Sequence, residues 1–273
     1  MKFLSKNNLR KVVRLENSHK GMNGRVLVIG GSEDYVGAVA LASLAALRSG
    51  ADLAILFAPE KVAWAVNEKS FDIITKKLPG KFIEPKHIKQ IKEFLRDDDV
   101  ILFGNGTGLK PKTKKAMQML ADLPHLKVID ADALKAISTR NLKNSILTPH
   151  RRELEILLEN NKTNIEEITK NNNVMIVKGK IDYIHTANDV FYNKTGNSRM
   201  TVGGTGDVLA GLCAGFLSQY KNLEEAAKTA AYINGEIGDK LLKRKGYAFT
   251  AEDMLKEIPA AIKGLHLVKR WIR

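Results

Sequence analysis

Apolar residues along this chain alternate between two rhythms. Short continuous runs that close on glycine, proline or acid alternate with longer stretches of mixed polarity. "RVLVIGG" from Arg25 is a β-branched run ending in a glycine pair, which predicts a buried strand and a turn. "GAVALASLAALRSG" follows, rich in Ala and Leu and closed by Gly50, as a helix with a glycine stop would be. "ADLAILFAP" is the next strand, ended by Pro59. Strand, helix, strand at this spacing is a βαβ unit, and such units build parallel sheets.

The same alternation runs on. "EPKHIKQIKEFLRDDD" reads as helix, "VILFGNG" as strand and "PKTKKAMQMLADL" as helix opened by Pro111. "KVIDADA", "SILTP" and "NVMIVKG" read as strands, and "RRELEILLEN" and "TNIEEITKN" as helices. "DYIHTANDVFYNKT" predicts a hairpin turning near "AND". The remainder is helical: "GDVLAGLCAGFLSQY", "NLEEAAKTAAYINGEIGDKLL" and "TAEDMLKEI". No internal repeat, low-complexity tract or dividing linker interrupts it. The expectation is one α/β domain over residues 1–273, with a mostly parallel central sheet and helices on both faces. Ligands of such sheets sit beyond the carboxyl ends of the strands.

Composition narrows the class. Hydrophobic residues make up 44% of the 273, enough for a large core. Cys213 is the single cysteine, so an intramolecular disulfide is excluded and a reducing cytoplasm is expected. The apolar run "AVALASLAAL" stops at Arg48, too short to span a bilayer, and the N-terminus lacks the apolar block of a signal peptide. The formal charge of +14 raises the question of nucleic acid. Residues 1–25 carry seven Lys/Arg and one acid, and residues 261–273 carry four Lys/Arg and no acid, so only +4 remains on the body of the chain. Aromatics are 6%, with no zinc-finger spacing and no RNA-binding aromatic signature. Two basic terminal segments, 1–18 and 262–273, are expected to be solvated or to meet another subunit. No nucleic-acid and no membrane partner is expected.

Chemistry should then gather in the glycine- and acid-bearing loops after the strands: 30–37, 104–108, 130–132, 148–153, 178–179 and 196–207. Standard nucleotide motifs fail. "GGTGDV" lacks the Lys and Ser/Thr of a Walker A loop, and "GNGTGLK" and "GGSEDYVG" are not GxGxxG. "GGTGD" (Gly203–Asp207) nevertheless has a physical logic. Glycines let successive N–H groups turn inward around an anion, and the following helix adds the positive end of its dipole. Asp207 is an anion placed in that same spot. It fits either as a first-turn acid complementing the dipole, by roughly 0.3–1 kcal/mol, or as a base taking a proton from an attacking hydroxyl. The surrounding glycines favour the base. Asp130 and Asp132 fit either a metal pair or strand-end and capping acids, with Asp132 favoured as a cap. Cys213 shares a helix face with Leu209, Leu212 and Phe216 and reads as core. Tyr35 fits either stacking on a ring or local burial.

With these residues in view, "NKTGNSRMTVGGTGDVLAG" resembles the signature of the ADP/ATP-dependent NAD(P)H-hydrate dehydratases of the ribokinase-like superfamily. "HKGMNGRVLVIGGSEDYVGAVALASLAALRSGADL" resembles the opening segment of that family. "GNGTGL" stands where the family has Gly-Pro-Gly-Leu-Gly, and "VIDADAL", "LTPH" with Glu153, and "VKG" follow in family order. The likeness runs from about His19 to Leu217. Departures are Arg151 and Arg152 in place of Pro-Gly after "TPH", Thr107 and Lys110 in the glycine loop, and Val39 for a proline.

The resemblance implies a ribokinase-like fold and repair of hydrated NADH or NADPH (NADHX, NADPHX). The S-form would be phosphorylated on its ring hydroxyl by ADP or ATP and then lose phosphate. By position it implies Asp207 as catalytic base, with the hydrated dinucleotide meeting Ala38, Gly108, His150 and Asp207. It implies the adenine nucleotide meeting Lys178, Gly179, Lys180, Ile181, Asp182, Asn197, Gly204, Thr205 and Gly206. Glu153 would stand beside a magnesium ion held mainly by phosphates and water. A homo-oligomer is expected by the same likeness. With "VLVIGGS" beginning near Val26, an N-terminal epimerase domain is not expected. Two other readings compete. A small-molecule kinase of the same superfamily, acting on a vitamin-precursor alcohol, keeps "GTGD" but leaves "GGSEDYVGA" and "LTPH" without a role. A basic nucleic-acid or membrane-surface binder would use "LHLVKRWIR" as its anchor.

Overall fold

The computed structural model describes residues 1–269. Its strands are β1 (Lys2–Phe3), β2 (Val12–Leu15), β3 (Arg25–Ile29), β4 (Leu53–Pro59), β5 (Ile74–Leu78), β6 (Val100–Phe103), β7 (Leu126–Ile129), β8 (Ser145–Leu147), β9 (Asn173–Val177), β10 (Asp182–His185), β11 (Val190–Asn193) and β12 (His266–Lys269). Its helices are α1 (Gly37–Arg48), α2 (Glu60–Lys69), α3 (Ile88–Phe94), α4 (Pro111–Ala121), α5 (Arg151–Asn161), α6 (Ile165–Lys170), α7 (Thr205–Tyr220), α8 (Leu223–Lys245) and α9 (Ala251–Ile262).

Ten strands form one sheet in the order β1-β11-β10-β9-β8-β7-β6-β3-β4-β5. Pairing is parallel from β9 through β5, and among the described residues only β10 runs against the rest. Side chains of a strand alternate between faces, and β3 shows what that does. Val26 and Val28 enter a core with residues of α1, α2, α7, α8 and α9, whereas Leu27 and Ile29 enter a second core with residues of α3, α4, α5 and α6. A strand apolar at every position is therefore covered on both faces. The expected α/β architecture, mostly parallel and covered on both faces, is present.

α1 and α7 lie against each other at glycines. A Cβ on Gly211 would stand 2.7 Å from Ala45 Cβ, and one on Gly215 would stand 2.7 Å from Ala46 O. Such contacts are too short to tolerate, so the glycines set how closely these helices approach. Cys213, on another face of α7, is buried in the core as expected, and burial raises its thiol pKa.

Residues 1–18 are mostly exposed, and the ends of the chain also carry strands: β1 pairs in parallel with β11 at the sheet edge, and β2 pairs in parallel with β12 in a separate two-stranded sheet. Leu9 and Val12 are buried. Segments far apart in sequence thus cover each other, a contact that no local pattern announces. Residues 270–273 of the expected basic tail, and with them the end of "LHLVKRWIR", lie outside the described residues. No helix among the described residues is long and apolar enough to cross a membrane. The hairpin turns at Thr186–Asp189, as expected. The helix expected over "EPKHIKQIKEFLRDDD" is shorter. It opens with a 3-10 turn at Pro85–His87 and ends at Phe94, leaving the three aspartates outside.

Candidate active site

Four adjacent parallel strands, β6, β7, β8 and β9, each release a polar residue just past their carboxyl ends. These are Asn105, Asp130, Thr148 and Lys178. Neighbouring strands lie about 4.8 Å apart, so residues distant in sequence become neighbours. Thr148 Oγ1 donates to Asp130 Oδ1 at 2.7 Å, and Lys178 Nζ reaches the same oxygen at 3.2 Å. Asn105 Nδ2 donates to Asp130 Oδ2 at 3.0 Å and to Asp207 Oδ1 at 2.7 Å.

Asp207 arrives on α7 from the far side of the chain. The helix is capped by Gly204, whose φ of 94° is left-handed and suits glycine. Its first internal bond runs from Val208 N to Gly204 O. The N–H groups of Thr205, Gly206 and Asp207 precede that bond and face outward, as in any first helical turn. Thr205 Oγ1 ties the helix start to Met200 O at 2.6 Å, fixing the loop that leads in. A Cβ on Gly203 would meet nothing within 4 Å, and one on Gly206 would meet only Lys178 Nζ at 3.5 Å. Bare backbone therefore faces open space, as an anion-binding nest needs.

Electrostatics make the aspartate unusual. Burial is the largest influence and pushes the Asp207 carboxyl up to about 6; nearby Asp130 and Glu153 push the same way, while Asn105 and Lys178 oppose them. Burial alone would lower the Lys178 ammonium, but Asp130, Glu153 and Asp207 around it raise it above its ordinary value. The lysine stays charged and the aspartate is poised near neutrality, as a general base requires.

A cavity of about 1190 Å³ opens beside this cluster. It is lined by Lys178, Gly179, Lys180, Ile181, Asp182, Asn197, Gly204, Thr205 and Gly206, so the residues expected around the nucleotide come together; His150, expected with Ala38 and Gly108 at the hydrated dinucleotide, lines this cavity instead. Ala38 and Gly108 do not line it. They lie at a second surface, near the "GNGTG" loop, where a Cβ on Gly106 would stand 3.3 Å from Ala38 Cβ and Gly108 N donates to Asp132 Oδ2 at 3.0 Å. Asp207 is joined to that loop through Asn105; it does not itself line the cavity, but its neighbours Thr205, Gly206 and Lys178 do.

Several side chains carry structural work. His150 caps α5, its Nδ1 accepting from Arg152 N and Glu153 N, while Glu153 Oε2 accepts His150 N at 3.0 Å. This capping box does not remove His150 from the cavity wall. Asn197 is held by Arg199 N and donates to Asp239, and Asp182 accepts from Gly179 N and Asn193. Asp132 is not the helix cap expected of it. Asp130 holds that position, without a side-chain cap bond, and Asp132 instead receives Gly108 N and Lys135. Arg151 and Arg152 are exposed and pair with Glu155. Tyr35 is 59% exposed rather than locally buried.

Sequence reasoning overlooked Asn105. Between two glycines it reads as a turn residue, and its partner Asp207 is 102 positions away.

A family model described as NAD(P)H-hydrate dehydratase matches residues 26–260. A bifunctional NAD(P)H-hydrate repair enzyme of Methanocaldococcus jannaschii is 42% identical over 259 residues, covering 93% of this chain and 51% of that protein. The chain spans about half the length of the first curated relatives it matches. An ADP-dependent (S)-NAD(P)H-hydrate dehydratase of Cenarchaeum symbiosum is 33% identical over 279 residues, covering 96% of this chain and 97% of that one. Among solved structures, a ribokinase-like superfamily protein from Enterococcus faecalis superposes with a TM-score of 0.84 at 26% identity, over 97% of this chain and 96% of its own.

Proposed function

The chain belongs to the NAD(P)H-hydrate dehydratase family, and we propose that it returns the S-form of NADHX or NADPHX to NADH or NADPH at the expense of ADP or ATP. Asp207 takes the proton of the ring hydroxyl, and the oxygen forms a bond to the terminal phosphorus of the donor. The bond from that phosphorus to its bridging oxygen breaks, releasing AMP or ADP. Phosphate then leaves the ring carbon with assistance from the ring nitrogen. The neighbouring carbon gives up its proton to water, and the double bond returns. Hydroxide is a poor leaving group and phosphate a good one, which is the reason for involving a nucleotide.

The observation that carries this reading is the position of Asp207. Its carboxylate, held near neutrality, stands at the glycine-lined start of α7, beside a cavity large enough for a nucleotide. In that cavity Lys178, Gly179, Lys180, Ile181 and Asp182 form the donor-binding segment, with Asn197 shaping the loop across from it. The backbone of Gly204, Thr205 and Gly206 stabilises the phosphoryl group in transfer. Ala38 and Gly108 receive the hydrated dinucleotide, and His150 contributes from the cavity edge.

Direct coordination of magnesium by a protein cluster does not fit the described residues, which hold no group of three His, Cys, Asp or Glu suited to a metal. Glu153 is committed to His150 N and lies 3.9 Å from both Lys135 and Lys178. Magnesium would come with the nucleotide, held mainly by its phosphates and water, with Glu153 beside it. A homo-oligomer in the cytoplasm belongs to the same proposal.

The test is direct. The S-hydrate of NADPH is supplied with magnesium and either ADP or ATP, and the return of reduced-nicotinamide absorbance is followed near neutral pH. Recovery with at least one donor is expected; no recovery with either overturns the reading. A stable phosphate ester accumulating in place of NADPH would mark a small-molecule kinase instead.

A further inference from the structure

Asn105 is fully buried, yet its side chain faces two carboxylates. An amide nitrogen carries two hydrogens, and both are committed here, one to Asp207 and one to Asp130. The reversed amide would aim its oxygen at two anions, so the assignment of nitrogen and oxygen follows from charge. Asn105 Oδ1 is buried with no hydrogen-bond partner. A buried polar atom left unsatisfied is costly, so the residue is poorly explained by stability alone.

The parts that hold Asn105 are rigid. Asp130 is anchored by the Thr148 hydroxyl and the Lys178 ammonium. Gly104, with φ of 114°, lies so close to the Asp130 carbonyl and Ala133 that a Cβ would collide with both. Gly106, with φ of 65°, presses against Tyr35, where a Cβ would stand 2.8 Å from the Tyr35 carbonyl. The loop is thus clamped on either side of Asn105. None of the described residues donates a hydrogen bond to the second Asp207 oxygen, Oδ2, although Oδ1 is held at 2.7 Å.

We propose that Asn105 is a positioning residue for the transfer, holding Asp207 Oδ1 against the sheet so that Oδ2 is presented to the substrate hydroxyl. The proposal rests on Asp207 being the base. A second role follows from the same contact. Asn105 stabilises the ionised form of Asp207, as Lys178 on β9's carboxyl end does, against burial and the like charges of Asp130 and of Glu153 on α5. Removing the amide therefore raises the pH at which Asp207 loses its proton.

The experiment uses Asn105→Asp, which keeps the shape, and Asn105→Ser, which removes the bridge without adding charge. In both, kcat is expected to fall about 10²-fold, the typical penalty for a misplaced catalytic group, while calorimetric ADP affinity stays unchanged. The acid limb of the kcat profile should move to higher pH. The Asp207 carboxyl carbon resonance, assigned by its loss in Asp207→Asn, should titrate at higher pH in both variants without any substrate present. Unchanged kcat overturns the proposal. So does a fall in kcat with the acid limb and the carboxyl titration unmoved, because that is the signature of general loosening. The titration is read without turnover. An inactive wild type would therefore count against the dehydratase reading, while an unmoved titration would count against Asn105.

Discussion

Two buried ionic clusters occupy opposite ends of the same strands. At the amino ends, Arg25 opens β3 and Asp99 immediately precedes β6. The guanidinium meets both carboxylate oxygens of Asp99, with Nε 2.9 Å from Oδ1 and Nη2 3.3 Å from Oδ2. It also lies over the Phe94 ring. Close by in the sheet, Lys127 on β7 gives its ammonium to the carbonyls of Leu123 and His125. At the carboxyl ends, Asp130, Asp207 and Glu153 gather around Lys178, beside an open cavity. The chemistry of the groups is the same, but the balance differs. One cation to one acid, both side chains buried, gives a structural pair. More acid than cation, with space, leaves a carboxylate whose proton can be moved.

The most severe way to break that contrast is Asp207→Asn. Loss of a general base typically costs 10²–10⁴-fold, so turnover should fall by about 10³-fold or more with ADP affinity retained. Burst kinetics and calorimetry would check the two halves of the statement.

The same variant should gain stability. Asp207 has its pKa raised from 3.8 to about 6 on folding. The folded state therefore holds the proton more tightly, and the favourable contribution is present below pH 4 and lost as pH rises through 6. At pH 7 the charged Asp207 is a burden on the order of 1–3 kcal/mol. Asp207→Asn should raise the urea midpoint at pH 7 relative to wild type, and the difference should vanish below pH 4. A variant less stable than wild type at pH 7 would place Asp207 with the structural pair instead. With Asp207 as the proposed base, wild-type kcat should fall as pH drops through about 6.

Arg25→Ala addresses the opposite end. Breaking a buried pair leaves an uncompensated charge and costs roughly 3–5 kcal/mol. Unfolding should shift accordingly in urea, while kcat of the folded fraction should hold. A loss of kcat with unchanged stability would erase the distinction between the clusters.

The smallest effect is expected at Lys127. Burial lowers its pKa to about 8. Between pH 8 and 10.5 the unfolded chain binds the proton that the folded chain has released, so stability from this group rises with pH in that window. The urea midpoint of wild type should therefore rise relative to Lys127→Met between those values. Parallel pH dependences would show that Lys127 is not desolvated.

Much of this is legible in the sequence because it is local. Alternating apolar runs and glycine stops gave the βαβ order, and "GGTGD" gave a helix start with an acid in its first turn. The edge strand β5, the terminal strands β1, β2 and β12, and the short helix α2 had no such legibility. β1 is two residues long, and the β2–β12 ladder joins Val12 to His266 across nearly the whole chain. The site divides in the same way. The Lys178–Asp182 segment and the glycines of "GGTGD", which line the cavity, are each continuous in the sequence and legible there. Asn105, hidden between two glycines, is not.

The sequence alone determined the class of fold, the glycine-rich start of α7 and the presence of Asp207 within it, because each depends on residues within a turn or two of one another. Only the tertiary structure decided that Asp207 shares an amide with Asp130, that Lys178 anchors the pair, and that a cavity opens on one side of it. Those facts depend on which strands become neighbours and on how far water is excluded between them. Burial and distance across the sheet, not residue type, raise the aspartate's pKa toward neutrality.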